Sequence, residues 1–293
     1  MKISVIIPTY NGEKKINQTL SDLAAQSYKD FEVIVVIDGS TDNTASVVKN
    51  YLKKFQSLKI IEQKNQGRAG SRNSGAKAAQ TPHLIFFDDD VAIPDSVVLD
   101  YSDKIDEGHL VIAGGLYPVY RIENEFSQYA SYLNRKWNTD LPIEGNLHKP
   151  YLSANNFYIS KELFERMGGF NGLLTDAEDF DLAIRLFERS QAIFFSPNLK
   201  VGHFIQQTFQ EYALRQVDYK RARKALLNLN PAVKKYISPN DPALAGLKTL
   251  IRKILSRKFY LALADAGVFK ILPRKFRHKL YDVLLTSFAE YAD

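Results

Sequence analysis

Short β-branched runs alternate with helically spaced apolar residues through the first two thirds of the chain. Residues 2–8 and 31–37 read as strands, the second buried on both faces. Pro8, Asn11 and Gly12 end the first. Ile16, Leu20, Leu23 and Ala24 then recur at helical spacing, and so do Ala45, Val48, Leu52 and Phe55. Residues 58–62 form a short third strand. Residues 67–80 form a small-residue helix opened by Gly67. Leu84, Ile85, Phe86 and Phe87 make a fourth strand, again buried on both faces. This order predicts βαβ units with right-handed crossovers, hence an α/β fold with a mostly parallel sheet flanked by helices.

The later pattern is less regular. Residues 94–105 are helical. Residues 110–122 read as a strand pair bent at Gly114 and Gly115. Residues 123–150 are polar without a sustained period, and carry Trp137, the only tryptophan. They read as a loop that holds an acceptor substrate or is merely anchored by Trp137. A strand at 151–160, a short helix at 161–167 stopped by Gly168 and Gly169, and a strand at 192–196 follow. Residues 204–229 read as one long helix, Pro231, Pro239 and Pro242 punctuate what comes next, and 243–255 and 259–272 are further helices. The expected division is a catalytic domain over 1–205, with a nucleotide-binding half (1–90) and an acceptor half (91–205), and a basic helical extension over 206–293.

Charge and composition narrow the classes. The 293 residues include no cysteine, which excludes disulfides and thiolate metal sites. No stretch reaches the roughly 18 apolar residues of a spanning helix, and the opening residues lack a signal-peptide pattern, so a cytoplasmic protein is expected. The net charge of +6 is unevenly placed. Residues 215–279 hold seventeen Lys and Arg against three acids. Leu247, Leu250, Ile251, Ile254 and Leu255 form an apolar stripe flanked by Lys248, Arg252, Lys253, Arg257 and Lys258. Such basic amphipathic helices lie on anionic membranes or pack on a neighbouring domain with a solvated basic face; both readings stay open. Nucleic acid is set aside, because the basic block lacks a recognised binding motif.

The candidate chemistry sits at the ends of strands. Asp88, Asp89 and Asp90 follow a buried strand directly. Adjacent carboxylates repel and are costly to desolvate, so a hard cation such as Mg²⁺ or Mn²⁺ shared with a phosphate would stabilise them; a solvated acidic turn is the plainer alternative. No Gly-x-Gly-x-x-Gly follows the first strand, and there is no Gly-Lys-Ser/Thr phosphate loop. Asp38, ending the second strand, could accept from a base or ribose, or simply form an Asx turn. Tyr10 could stack on a base or close the core edge. Arg68 and Arg72 could pair with a diphosphate or make surface ion pairs. Asp176, Glu178, Asp179 and Asp181 enter a helix, where a first-turn acid is favoured by the dipole, yet four are more than capping needs. His203 is structural unless it reaches a metal held by the aspartates.

Taken together, Val5-Ile6-Ile7-Pro8-Thr9-Tyr10-Asn11-Gly12, Ile37-Asp38-Gly39-Ser40-Thr41-Asp42, the segment from Asn65 to Gly75, Asp88-Asp89-Asp90, Gly168-Gly169-Phe170 and Glu178-Asp179…Arg185 resemble family 2 glycosyltransferases of the GT-A fold over about residues 1–205. The resemblance implies inverting transfer of a sugar from a nucleoside-diphosphate donor of the UDP, GDP or dTDP type to a hydroxyl acceptor, among them lipid-linked glycans. It implies that Pro8 and Tyr10 flank the base and Asp38 contacts it. Thr9, Arg68, Arg72, Asp89 and Glu178 belong to the donor-binding set. Asp88 contacts ribose or sugar, Asp90 binds Mn²⁺ or Mg²⁺, His203 stands near the metal or diphosphate, and Asp179 is the catalytic base. An ordinary aspartate pKa of about 3.9 would leave that base ionised at neutral pH. Ile37 departs from the family, which often has an acid there. A nucleotidyltransferase would carry a basic glycine-rich loop after the first strand, which Thr9-Tyr10-Asn11-Gly12 does not resemble. A non-catalytic sugar-nucleotide binder would have no use for Asp179.

Overall fold

A computed structural model describes residues 2–120, 124–137, 143–205, 207–236 and 247–291. The chain divides into two compact units, Met1–Tyr117 with Leu141–Phe204, and Pro118–Asp140 with Ile205–Asp293.

The first part of the first unit follows the expected alternation. It runs β1 (Ile3–Thr9), α1 (Ile16–Ala24), β2 (Phe31–Asp38), α2 (Thr44–Lys49), β3 (Leu58–Gln63), α3 (Gly67–Ala78) and β4 (His83–Phe87). The chain continues through β5 (Val91–Ala92), α4 (Val97–Asp106), β6 (Val111–Tyr120), α5 (Glu125–Trp137), β7 (Gly145–Asn146), β8 (Asn156–Ser160), α6 (Lys161–Arg166), α7 (Glu178–Glu188) and β9 (Phe194–Ile205). Among the described residues the strands form one nine-stranded sheet in the order β3-β2-β1-β4-β8-β6-β9-β5, with β7 on β9. β1, β2, β3 and β4 pair in parallel, whereas β8 runs antiparallel to both β4 and β6.

The continuous apolar runs are explained by helices on both faces. Successive residues of β2 alternate between two cores, Val33, Val35 and Ile37 on one side and Ile34 and Val36 on the other. The first core takes Ile16, Leu20 and Leu23 of α1 and Val97, Val98 and Tyr101 of α4. The second takes Ala69 and Ala76 of α3, Leu163 and Phe164 of α6, and Leu182 and Leu186 of α7. α3 is rich in small residues because it lies close against the sheet: a Cβ on Gly75 would stand 2.4 Å from Ile6 Cγ2 and 3.3 Å from Val36 Cγ2.

Several elements differ from the sequence pattern. The expected strand pair over 110–122 is one strand, β6, as far as the described residues extend. A Cβ on Gly114 would meet Asn156 Nδ2 at 2.2 Å and the Leu199 carbonyl at 2.4 Å, so this glycine admits the neighbouring strands. Buried Asn156 fastens the place, donating to the Gly115 and Leu199 carbonyls and accepting from the Tyr101 hydroxyl. The strand expected over 151–160 starts at Asn156, and the one over 192–196 runs on to Ile205, so His203 lies in a strand and not after it. The polar loop expected over 123–150 contains α5, whose Phe126, Tyr129, Ala130 and Leu133 fall at helical spacing and are buried. The Trp137 side chain lies outside the described residues.

The second unit is helical. α8 (Phe209–Leu229) begins at a Thr208–Glu211 capping box, five residues later than the expected start at 204 because β9 occupies the intervening backbone. A 3₁₀ turn (Pro231–Lys235), α9 (Leu247–Leu255), α10 (Lys258–Asp265), a second 3₁₀ turn (Val268–Ile271) and α11 (Arg274–Tyr291) follow. Pro239, Pro242 and the first residues of the helix expected over 243–255 lie outside the described residues. Gly267, at φ +73°, breaks the expected helix over 259–272. The core gathers Phe126 and Tyr129 of α5, Phe209 of α8, Leu261 of α10, and Tyr281, Leu284 and Phe288 of α11. Beside the boundary expected at 205, α5 groups by its contacts with the C-terminal helices, since its Phe126, Tyr129, Ala130 and Leu133 have their apolar partners there. Among the described residues no helix is long and apolar enough to cross a membrane.

Gly75→Ala is expected to lower stability by about 1–3 kcal/mol through overpacking against Ile6. Urea denaturation measures it, and an unchanged midpoint would contradict the close approach of α3.

Candidate functional site

The parallel strands β1, β2 and β4 end together, and their carboxyl ends carry the candidate residues, as open α/β sheets do at a ligand site. After β1, exposed Tyr10 follows Pro8 and buried Thr9. Asn11, at φ +48°, ties this loop to the one after β2: its Oδ1 accepts from the Thr41 amide at 2.9 Å and its own amide donates to Ser40 Oγ at 3.0 Å. Asp38 is buried at the end of β2. Its Oδ1 accepts from Gln63 Nε2 at 2.7 Å and the Gln66 amide at 2.9 Å. These partners lie 25 and 28 residues away, so this oxygen fastens the approach to α3 and does not close a local Asx turn.

The three adjacent aspartates point to three different partners, which answers their mutual repulsion. Asp88 Oδ1 accepts from Arg72 Nη2 at 2.5 Å. Burial raises the Asp88 pKa, but the Arg72 charge and hydrogen bond outweigh it and hold this carboxyl below its ordinary value. Asp89 turns inward and accepts from Thr9 Oγ1 at 2.6 Å. Burial, with Asp90 adding, pushes it up to about 7. Asp90 Oδ1 lies 3.6 Å from His203 Nε2. Strand pairing brings these two together, because β9 places His203 opposite Val91 and the Phe204 amide donates to the Asp90 carbonyl at 3.1 Å.

Arg72 connects this end of the sheet to α7. Its Nη1 donates to Glu178 Oε1 at 2.5 Å, so one buried guanidinium holds two carboxylates. Burial opposes the charge on Arg72, but Asp88 and Glu178 prevail and hold its pKa above the ordinary value. Glu178 is more deeply buried than Asp88, with 4% against 30% side-chain exposure, and burial pushes it up despite Arg72. The guanidinium also lies 5.7 Å from the centre of the Phe170 ring. Phe170 stands edge-on to Phe86 at 5.5 Å, which anchors it in the core below β4.

The four acids at the start of α7 then separate by partner. Asp176 pairs with Arg68 at 2.9 Å, Glu178 with Arg72, and Asp181 with Arg185 at 2.8 Å. Asp179 accepts instead from two backbone amides, Ala154 at 3.0 Å and Phe180 at 2.7 Å; among the described residues it has no salt-bridge partner. Burial pushes its pKa above the ordinary aspartate value, against the expectation of an untuned acid, with the Ala154 amide and Arg72 opposing. It also helps raise the Tyr151 hydroxyl, after burial, to about 12. Ala177, at φ +64°, sets the entry angle of the helix.

Some residues of this frame carry no chemistry that sequence alone reveals. Arg185 donates to the Met167 and Gly169 carbonyls, and Asn73 bonds both the amide and the carbonyl of Phe170. Both sit inside the quoted motifs, which was the available signal. Ala154 acts through its backbone, for which the sequence has no signal.

A metal has a limited but suitable set of donors. Among the described residues no three His, Asp or Glu side chains converge to form a cage. Asp90 and His203 would offer one oxygen and one nitrogen to a cation, the other donors coming from diphosphate and water, as Mg²⁺ and Mn²⁺ allow. Asp88 is held by Arg72 and Asp89 by Thr9, so the residues fit a cation that binds with its phosphate ligand better than one resident in the free protein.

Comparison with known proteins gives a consistent family. The sequence model of glycosyl transferase family 2 matches residues 4–168. An uncharacterized glycosyltransferase of Haemophilus influenzae is 34% identical over 41% of this chain and 49% of its own length. The poly(ribitol-phosphate) beta-N-acetylglucosaminyltransferase TarS of Staphylococcus aureus is 41% identical over 37% of this chain and 20% of its own. The chain thus spans half or less of the length of these relatives. A structure of TarS 1–349 with UDP-GlcNAc superposes with a TM-score of 0.58 at 20% identity, covering 99% of this chain and 90% of that one. The mannosyltransferase PcManGT of Pyrobaculum calidifontis, in complex with GDP-Man and Mn²⁺, gives 0.61 at 17% identity, covering 100% of this chain and 76% of that one. At these identities the structural likeness shows the shared GT-A fold.

Arg72→Met is expected to cost about 3–5 kcal/mol, since it strands Asp88 and Glu178 without their cation. Adding Glu178→Gln should recover part of the loss. A double-mutant cycle in urea measures both, and a single-variant cost under about 1 kcal/mol would contradict the bridging role.

Proposed function

The chain belongs to glycosyl transferase family 2, and on that premise we propose that it moves a sugar from a nucleoside-diphosphate donor to a hydroxyl acceptor with inversion at the anomeric carbon. The acceptor class that fits this reading is a glycan or lipid-linked glycan. One observation carries it: of the four acids opening α7, Asp179 is the one that no arginine pairs with among the described residues, and burial makes it a better proton acceptor than a free aspartate. A protein that only bound sugar nucleotides would gain nothing from such a group.

The reaction follows from where the charges stand. The acceptor hydroxyl gives its proton to Asp179 as its oxygen bonds to the anomeric carbon. The bond from that carbon to the diphosphate breaks on the opposite face, and the electron pair leaves with the nucleoside diphosphate. A divalent cation, Mn²⁺ or Mg²⁺, held by Asp90 and His203 would stabilise the charge on that leaving group. Asp38, Pro8 and Tyr10 address the base, with Tyr10 exposed for stacking and Asp38 positioned by Gln63 and Gln66. Thr9 and Asp89 lock to each other beneath the base side. Asp88 faces ribose or sugar, its geometry set by Arg72, which also fixes Glu178 beside the base; Arg72 therefore acts as a brace, and Arg68 is the arginine left to address the diphosphate. Arg68 would exchange its exposed pairing with Asp176 for the phosphates.

Asp179→Asn should lower kcat by about 100-fold or more, while nucleotide still raises the melting temperature. Wild-type transfer by this variant would overturn the assignment. Because the Asp179 carboxyl is raised, it protonates earlier as pH falls, so the acid limb of the kcat profile should lie above the ordinary aspartate range.

Chelation should remove the stabilisation that UDP, GDP or dTDP gives in a thermal-shift titration, and Mn²⁺ or Mg²⁺ should restore it. Nucleotide stabilisation that survives chelation and the Asp90→Ala change would remove the metal from this reading.

A further inference from the structure

Helix α9 is packed with its apolar face outward. At 100° per residue Leu250, Ile251 and Ile254 share one arc, and they are 56%, 47% and 44% exposed. Half-buried Thr249, Arg252 and Ser256 lie on the opposite arc, and half-buried Leu255, at the edge of the apolar arc, joins the core of the helical unit. A surface helix normally does the reverse, turning its apolar stripe inward. Just beyond it, Phe259 is 63% exposed. The same character returns after α10, where Val268, Ile271 and Phe276 are exposed beside Lys270, Arg274 and Lys275.

Charge identifies the occupant. Residues 247–280 contain ten Lys and Arg and a single acid, Asp265. That acid is already engaged at the start of α8, accepting from the Phe209 amide at 2.5 Å and the Gln210 amide at 3.2 Å. Exposed Lys253, Arg257 and Lys258 flank the apolar side chains, and none of the three is in a salt bridge among the described residues. A second copy packed face to face would set this positive charge against itself. A free polyanion would answer the charge and leave the aliphatic side chains in water. A bilayer with anionic headgroups answers both, taking Leu250, Ile251, Ile254 and Phe259 into its acyl boundary and the cations at its headgroups.

We propose that the outward face of α9, continued by Phe259, is a docking surface for an anionic lipid membrane. The surface depends on nothing in the transfer chemistry. It holds the helical unit at a bilayer by shallow insertion, without a spanning segment.

Vesicle co-sedimentation of the full chain tests it, with phosphatidylcholine alone or mixed with phosphatidylglycerol, at low and high salt. The protein should pellet with the mixed vesicles, bind neutral ones at least about tenfold more weakly, and be released by salt. Leu250→Ser/Ile251→Ser/Ile254→Ser and Lys253→Gln/Arg257→Gln/Lys258→Gln should each lose about tenfold or more. Their melting temperatures should stay within a few degrees of the wild type and their nucleotide-dependent stabilisation unchanged, because these side chains are exposed and lie outside the core of the helical unit. Wild-type binding by the serine variant, or no binding by the wild type at low salt, would overturn the proposal. A wild-type dimer that the serine variant dissociates, with no vesicle binding, would overturn it in favour of a second copy.

Discussion

A buried guanidinium between two carboxylates is the constraint on which the site depends. Arg72 is nearly inaccessible, and its charge is tolerable only because Asp88 and Glu178 both reach it. Those partners come from different elements, the end of β4 and the start of α7. The ion pair therefore fixes where the aspartates after β4 stand relative to the helix that carries Asp179. Phe170 over the guanidinium, backed by Phe86, adds a wall that keeps water from relaxing the arrangement. Arg185 and Asn73 hold the glycine turn that presents Phe170, so the sequence motifs brace one another.

The same economy settles the aspartate triplet. Placed side by side in sequence, the three carboxylates would repel. In the fold one is paired with a cation, one accepts from a threonine hydroxyl with its pKa raised by burial, and one faces a histidine. The histidine comes from a strand more than a hundred residues later, delivered by antiparallel pairing of β9 with β5. Chemistry at this end of the sheet is thus an outcome of strand order as much as of residue type.

The helical unit is built on a different principle. Its core is aromatic, with Phe209 against Tyr281 at 4.4 Å and Phe126 edge-on to Phe209 at 5.2 Å. Buried Glu125 draws Arg277 to 2.7 Å and the Tyr281 hydroxyl to 3.2 Å, which ties α5 to α11 across a long stretch of sequence. Of the described stripe residues of α9 Leu255 joins this core, while Leu250, Ile251 and Ile254 remain outside it.

The parallel half of the sheet was legible from residues alone, since buried strands and amphipathic helices announce themselves by period. The ends of β2 and β4 and the entry of α7 were legible for the same reason, and with them the positions of Asp38, Asp88, Asp90 and Asp179. The helix carrying Phe126 and Leu133 was hidden by polar neighbours, and α11 by its Lys and Arg, although both keep apolar residues three and four apart. What the linear order could not contain is which acid meets which arginine, and which face of α9 turns inward. Local pattern sets the axis and faces of an element, because it depends on neighbours a few residues away. Pairing and orientation depend on elements a hundred residues distant, and only the packed chain brings those within the few ångströms over which charge and contact act.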